Sequence, residues 1–301
     1  MDGIRSRVLR GIALNRAPGF HFAGNFLGIE LRDVGVKTRV AIEPGPHCLE
    51  EDGQMHVAAV FMAADIALAA TIRSQLTPST RLATVSMHLQ MNGAPLEGAI
   101  EARGEFAGFA AKGVARQGLS RVVLSAGGRE AGFGHGAFMA LDPPPGMTMF
   151  PVQPTREPEV ELPAEASLDL AEREILRRAD AALAGGEGSF IARFLGIVPR
   201  NSAAGASCSM QNGTHVGNRV GHAQGGILMG LAARTATAAL GPDWTLASIA
   251  ASFVGPGEGE TLEASSSVVH MGRWTAVVRT QIVSGGRRVL DVSTTHARRA
   301  E

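Results

Sequence analysis

Apolar and polar positions alternate along this chain in two distinct ways. The stretch from Val57 to Ile72 is apolar on nearly every face, and so is Gln224 to Ala238. That pattern predicts helices buried on most sides. Elsewhere the pattern is short and β-rich. Arg121-Val122-Val123-Leu124 and Ala276-Val277-Val278-Arg279 each precede a Gly-Gly-Arg triplet, at 127–129 and 285–287. The triplets read as hairpin turns between strands. Residues 82–141 and 246–299 carry strand signals only, so each buried helix is followed by strands in series. The fold class is therefore α+β, a helix wrapped by a curved antiparallel sheet, and not an alternating α/β layer.

The pattern occurs twice. Phe26-Leu27-Gly28-Ile29 recurs as Phe194-Leu195-Gly196-Ile197 at an offset of 168, which also lays His56–Ala70 onto Gln224–Ala238. Leu82-Ala83-Thr84-Val85 meets Leu246-Ala247-Ser248-Ile249 at an offset of 164, and the Gly-Gly-Arg triplets match at 158. Offsets that change only at loops are the mark of a diverged duplication. Between the copies lies Asp142-Pro143-Pro144-Pro145, with further prolines at 151, 154, 158 and 163, a segment excluded from helix interiors and central strands. It ends in a helix that Ser167 would cap, running to Leu183. The division is a first module over 20–142, a linker with a helix over 143–186, and a second module over 187–299.

Composition narrows the function. Lys+Arg and Asp+Glu both number 28, so no net field draws nucleic acid or an anionic membrane to the whole surface. The two cysteines, Cys48 and Cys208, are too few for a disulfide framework or a Cys-rich zinc site, which fits a reducing cytoplasm. His215 and His222 have no Cys or carboxylate at ligand spacing, so no metal is expected. Val57–Ile72 is shorter than the roughly 20 residues of a membrane span and contains Asp65. Gly11-Ile12-Ala13-Leu14 is too short for the apolar region of a secretion signal.

Gly53-Gln54-Met55-His56, the apolar run to Asp65, then Leu82-Ala83-Thr84-Val85-Ser86, together with Phe26-Leu27-Gly28-Ile29, resemble the hot-dog acyl-CoA thioesterases of the phenylacetate-degradation type. The resemblance covers the chain twice, leaving out the linker and the first twenty or so residues. It implies a tandem hot-dog: two modules side by side with one continuous sheet, a homodimer of the family made in one chain. It also implies thioester sites between the modules, each drawing on both, and no cofactor beyond the coenzyme A of the substrate.

The family carries a His-Gly-Gly motif at the start of the buried helix, an Asn six residues earlier, and a carboxylate nine residues after the motif begins. The second half has Gln224-Gly225-Gly226 with Asn218 before it, but Ala233 where the acid belongs. The first half has Asp65 at the acid position, but reads His56-Val57-Ala58 with Glu50 in place of the Asn. If each site crosses the module boundary, the losses fall in one site and leave the other nearly whole. The resemblance thus implies one working site. Its parts are Asp65 as general base or nucleophile, Thr84 beside the attacking water, Gly225 N–H as oxyanion donor, and Asn218. Gly226 and Gln224 belong to substrate binding; Gln224 replaces the family His, a role His222 would otherwise fill, and His56 is left in the degenerate site.

Each of these residues also has a structural reading. Asp65 also reads as a satisfied buried or partly exposed polar residue, Gly225-Gly226 as permitting close helix-to-sheet packing, Asn218 as a turn residue, and Thr84 as an ordinary strand residue. Arg219, Arg273 and Arg279 are candidates for coenzyme A phosphates, or solvated surface. The expected activity is hydrolysis of an acyl-CoA or acyl-carrier thioester. The alternatives are an acyl-CoA binding module without catalysis and a hot-dog hydratase or dehydratase. Pairing of two chains into a homodimer is consistent with the fold. Met and Ala around Phe61-Met62-Ala63-Ala64 and Leu228-Met229-Gly230 point to an adaptable apolar tunnel.

Overall fold

The computed structural model describes residues 2–110, 116–143, 145–146, 149, 151–155, 158–203 and 205–299. The first half contains helices α1 (Asp2–Asn15) and α2 (Phe22–Leu27), strands β1 (Glu30–Asp33) and β2 (Lys37–Ile42), and helix α3 (Val57–Arg73). Strands β3 (Arg81–Met91), β4 (Ile100–Phe109), β5 (Arg116–Ala126) and β6 (Arg129–Leu141) follow. The second half repeats the order: α4 (Leu170–Leu183), α5 (Phe190–Leu195), β7 (Arg200–Ser202), β8 (Gly205–Gln211), α6 (Gly225–Leu240), β9 (Trp244–Phe253), β10 (Thr261–Met271), β11 (Thr275–Ser284) and β12 (Arg287–Arg298).

All the strands form one antiparallel sheet of 12, in the order β1-β2-β4-β5-β6-β3-β9-β12-β11-β10-β8-β7. Its middle is the seam between the halves, where β3 pairs with β9 from Ser86↔Ser252 to Gln90↔Ser248. The buried helices α3 and α6 pack on each other and on the sheet and supply much of the core. Alternation along the strands, buried then exposed, leaves the other face to solvent.

The duplication is recorded in backbone irregularities. One strand residue is left unpaired at Val85 in β3, Ala107 in β4 and Ala131 in β6, and again at Ala247 in β9, Val269 in β10 and Val289 in β12. These bulges relate the halves at 162, 162 and 158. The equivalence over β3 and β9 is thus 162, not the 164 of the sequence match, and it maps the ends of the seam onto each other. From the N-cap of the buried helix to the first bulge the second half is six residues shorter than the first, and Thr84 corresponds to Leu246. Upstream the offset of 168 also holds for α1 and α4, which pack together, so the repeated pattern extends into the first twenty residues.

Local chemistry explains the recurring motifs. In each Phe-Leu-Gly-Ile the glycine ends a short helix in the left-handed conformation, with φ of 69° at Gly28 and 80° at Gly196, where only glycine is unstrained. The phenylalanines of the two copies, Phe26 and Phe194, meet at 4.8 Å between ring centroids. The Gly-Gly turns have positive φ at all four glycines, as a two-residue hairpin of the mirror-image type requires. The helix before the second module starts at Leu170 and is capped by Asp169, not Ser167: Asp169 and Glu172 satisfy each other's backbone N–H groups, while Ser167 Oγ donates to the Ala164 carbonyl. Pro144 of the proline run lies outside the described residues.

The α3–α6 contact is close because it is built on small residues. A Cβ on Gly226 would stand 2.4 Å from Met62 Cα, and one on Gly230 would stand 2.5 Å from Ala58 Cα. The 168 offset exchanges these two pairs, so the crossing has the symmetry of a homodimer interface. It brings the N-terminus of each helix against the middle of the other.

Candidate active site

Asp65 sits mid-way along α3, opposite the first turn of α6, and is 6% exposed. Burial raises the cost of its charge, and three donors from both halves offset it. Thr84 Oγ1 donates to Oδ1 at 3.2 Å, Gln224 Nε2 donates to Oδ2 at 2.6 Å, and the Gly226 N–H also donates to the carboxylate. Desolvation outweighs these donors, and the Asp65 pKa is pushed up to about 6. A carboxylate offers about four lone-pair positions, so about one remains open for a further donor such as water.

Each partner is positioned by its element. Thr84 directly precedes the unpaired Val85, and a bulge of this kind re-aims neighbouring side chains. Gln224 is the N-cap of α6: its Oε1 accepts from the Ile227 N–H at 3.0 Å, which forces the amide nitrogen toward Asp65. The glutamine therefore supplies the hydrogen bond to the acid that a histidine would, from a group that does not titrate. Gly225 is the first residue of α6, so its N–H has no acceptor within the helix and lies at the positive end of the dipole. A Cβ at Gly225 would point into the centre, 3.1 Å from Asp65 Oδ2, 3.4 Å from Thr84 Oγ1 and 3.4 Å from Phe253 Cε1. The space a side chain would fill is thus bounded by a carboxylate, a hydroxyl and an aromatic edge. Phe253 had no signal in the sequence; only the seam between β3 and β9 brings it here.

Asn218, His222 and His56 lie elsewhere. Asn218 Oδ1 accepts from the N–H groups of Val220 and His222, so its carbonyl end organises the turn before α6. The His222 ring faces Glu258, with Nε2 at 3.8 Å from Oε1, and does not stand in for Gln224. Arg219 gives its guanidinium to the carbonyls of Asn15, Ala17, Gly19 and Phe20 and so holds the segment after α1. Arg273 lies over the Trp274 ring in the turn after β10.

His56 caps α3 as Gln224 caps α6, and it is wholly buried. Its Nδ1 accepts from the Ala58 N–H, so the neutral ring carries its proton on Nε2. Burial and the nearby Arg234 charge drive its pKa down to about 3. Nε2 lies 3.6 Å from Glu50 Oε1, Arg234 Nη1 lies 3.6 Å from the same oxygen, and Ser189 Oγ donates to Glu50 Oε2 at 2.8 Å. Where the first centre has an acid and a glycine, this second position has Ala233, Val57 and an ionic clamp between the halves. Arg234, one residue past the lost acid, is the member that sequence reasoning missed. Among the described residues no group of three or more His, Cys, Asp or Glu is placed to hold a metal ion.

Comparison with known proteins adds the fold and a family match. The backbone is similar over 87% of the chain to a hot-dog protein of unknown function from Alicyclobacillus acidocaldarius, covering 94% of it, at 9% identity and a TM-score of 0.52. The chain is a tandem hot-dog. A proposed oleoyl thioesterase from Lactobacillus plantarum superposes with a TM-score of 0.56 at 8% identity, covering 88% of this chain and 97% of that one. The tesB protein of Mycobacterium avium subsp. paratuberculosis gives 0.52 at 12% identity, covering 90% and 96%. Residues 215–297, the body of the second hot-dog module, match the family described as the acyl-CoA thioesterase N-terminal domain. No curated protein sequence matches the chain. No helix among the described residues is long and apolar enough to cross a membrane.

Proposed function

We propose that this tandem hot-dog hydrolyses an acyl-CoA thioester at one composite centre, with Asp65 and Thr84 from the first module and Gly225 and Gln224 from the second. The observation that carries this reading is the meeting at Gly225, across the module boundary, of a helix N-terminus, a hydroxyl and a buried carboxylate whose pKa of about 6 suits a base near neutral pH. In this mechanism the thioester carbonyl oxygen accepts from the Gly225 N–H, aided by the helix dipole. Water donates to Asp65 and attacks the carbonyl carbon as its proton passes to the carboxylate. The tetrahedral oxyanion then collapses, the C–S bond breaks, and the Asp65 proton goes to the departing thiolate. Products are a carboxylic acid and free thiol.

Two roles were open for Asp65, and the hydrogen bonds favour the general base. A carboxylate held by Thr84, Gln224 and Gly226 is a poor nucleophile, because attack would break those bonds. Single turnover in ¹⁸O-water distinguishes the roles: a general base puts one label into the product acid, whereas a nucleophile leaves label in Asp65 and an unlabelled acid. Thiol release from short, long and aromatic acyl-CoAs tests the activity itself. No release from any of them would refute the enzyme reading and leave an acyl-CoA binding protein.

A further inference from the structure

Beside the candidate centre the fold encloses an open groove of about 490 Å³. Ile66 and Ala69 of α3 and Leu82 of β3 form its floor, so it starts one residue from Asp65 and two from Thr84. Its far wall consists of parts that are not hot-dog core: the segment after α1, held by Arg219, and linker residues near Val152, held where Thr155 exchanges hydrogen bonds with Leu31 of β1. Among the described residues, four arginines line it, Arg16, Arg73, Arg81 and Arg219, and no acidic residue does.

Two of these arginines serve the structure. Arg16 pairs with Glu172, and Arg219 caps carbonyls. Arg73 donates to the Pro78 carbonyl among other contacts, and its charge is partly desolvated, which lowers its pKa. The Arg81 guanidinium has no hydrogen bond or ion pair among the described residues. At the offsets that relate the halves, the counterparts of Arg16, Arg73, Arg81 and Arg219 are Ala184, Gly241, Asp243 and Glu51. The positive charge is therefore gathered at the one centre that keeps its acid and its helix-start glycines. Its other copy has none of the four.

We infer that this groove is an anion subsite that takes the phosphate-bearing end of a coenzyme A thioester, with Arg73 and Arg81 as its contacts. The inference rests on the thioesterase reading for what occupies the centre. An acyl group ending in a carboxylate presents the same anionic chemistry, and the test separates the two sources.

The experiment is calorimetric titration of the full chain with coenzyme A and with pantetheine, which lacks the phosphates, on the parent, Arg81→Met and Arg81→Lys. The parent is expected to favour coenzyme A by about tenfold or more, the value of a charge-assisted hydrogen bond. Arg81→Met should remove most of that preference without changing the affinity for pantetheine, and Arg81→Lys should keep part of it. Hydrolysis of N-acetylcysteamine thioesters with neutral and carboxylate-ended acyl groups supplies the second arm. A preference for the carboxylate that Arg81→Met removes would assign the anion to the acyl group and overturn the phosphate assignment. Equal affinity for coenzyme A and pantetheine in the parent, or a preference unchanged in Arg81→Met and Arg73→Met, overturns the subsite. Coenzyme A binding needs no turnover, so a subsite that fails in an active enzyme is distinct from a chain that hydrolyses nothing.

Discussion

Asp65 carries a conflict that stability and activity should both report. Burial raises its pKa from 3.8 to about 6. Between those values the folded protein holds a proton that the unfolded chain has lost, so this group's contribution to stability falls as pH rises through 6. Melting temperature is expected to decline from pH 4.5 to 7 by a component absent in Asp65→Asn; an identical slope in both proteins would show that Asp65 is not the group responsible. In kcat/KM the same ionisation has the opposite sign, activity rising to a plateau as the base deprotonates near pH 6. Gln224→Met removes a donor to the carboxylate, so that limb should move to higher pH, with a fold intact by circular dichroism. An unmoved limb would mean that Gln224 acts on α6 alone.

In the helices, the α3–α6 crossing depends on the absence of side chains at Gly226 and Gly230. Gly226→Val would place side-chain atoms inside the Met62 backbone, and overpacking of this kind costs roughly 1–3 kcal/mol. A melting temperature unchanged in Gly226→Val would show that the helices can separate freely. How much of this was legible in advance differs by residue. The helices and the Gly-Gly hairpins followed from apolar periodicity and a repeat, signals that a single sequence carries, whereas the pairing of Asp65 with Gly225 was implied by the resemblance to a family. The strand equivalence of 162 did not, because Leu-Ala-Thr-Val and Leu-Ala-Ser-Ile are generic strand sequences and the bulges that set the register lie in hydrogen bonds, not in residue types. The capping of α4 by Asp169 lay close in sequence, but Ser167 satisfied the same preference. Phe253, Ser189 and Arg234 reach their partners only through long-range pairing.

In the whole molecule, two copies of one module have diverged into a complete centre and a clamp. The clamp joins the halves through Glu50, His56, Ser189 and Arg234, and three of its buried polar atoms have no hydrogen-bond partner. Glu50→Gln/Arg234→Met is expected to lower stability less than the sum of the single changes, because either single change leaves a charge unpaired; thiol release should be unaffected. Additive losses would mean that the pair is not coupled. The central claim is that one centre, assembled across the module boundary, does the chemistry. The most direct measurement is kcat for thiol release from a good acyl-CoA by the parent, Asp65→Asn, Gly225→Val and the double variant. Each single change is expected to lower kcat by about 10²-fold or more, and the double variant to be no slower than the worse single one, since residues of one centre are not additive. Either single variant retaining near half of the parent rate, or losses that multiply in the double variant, would contradict it.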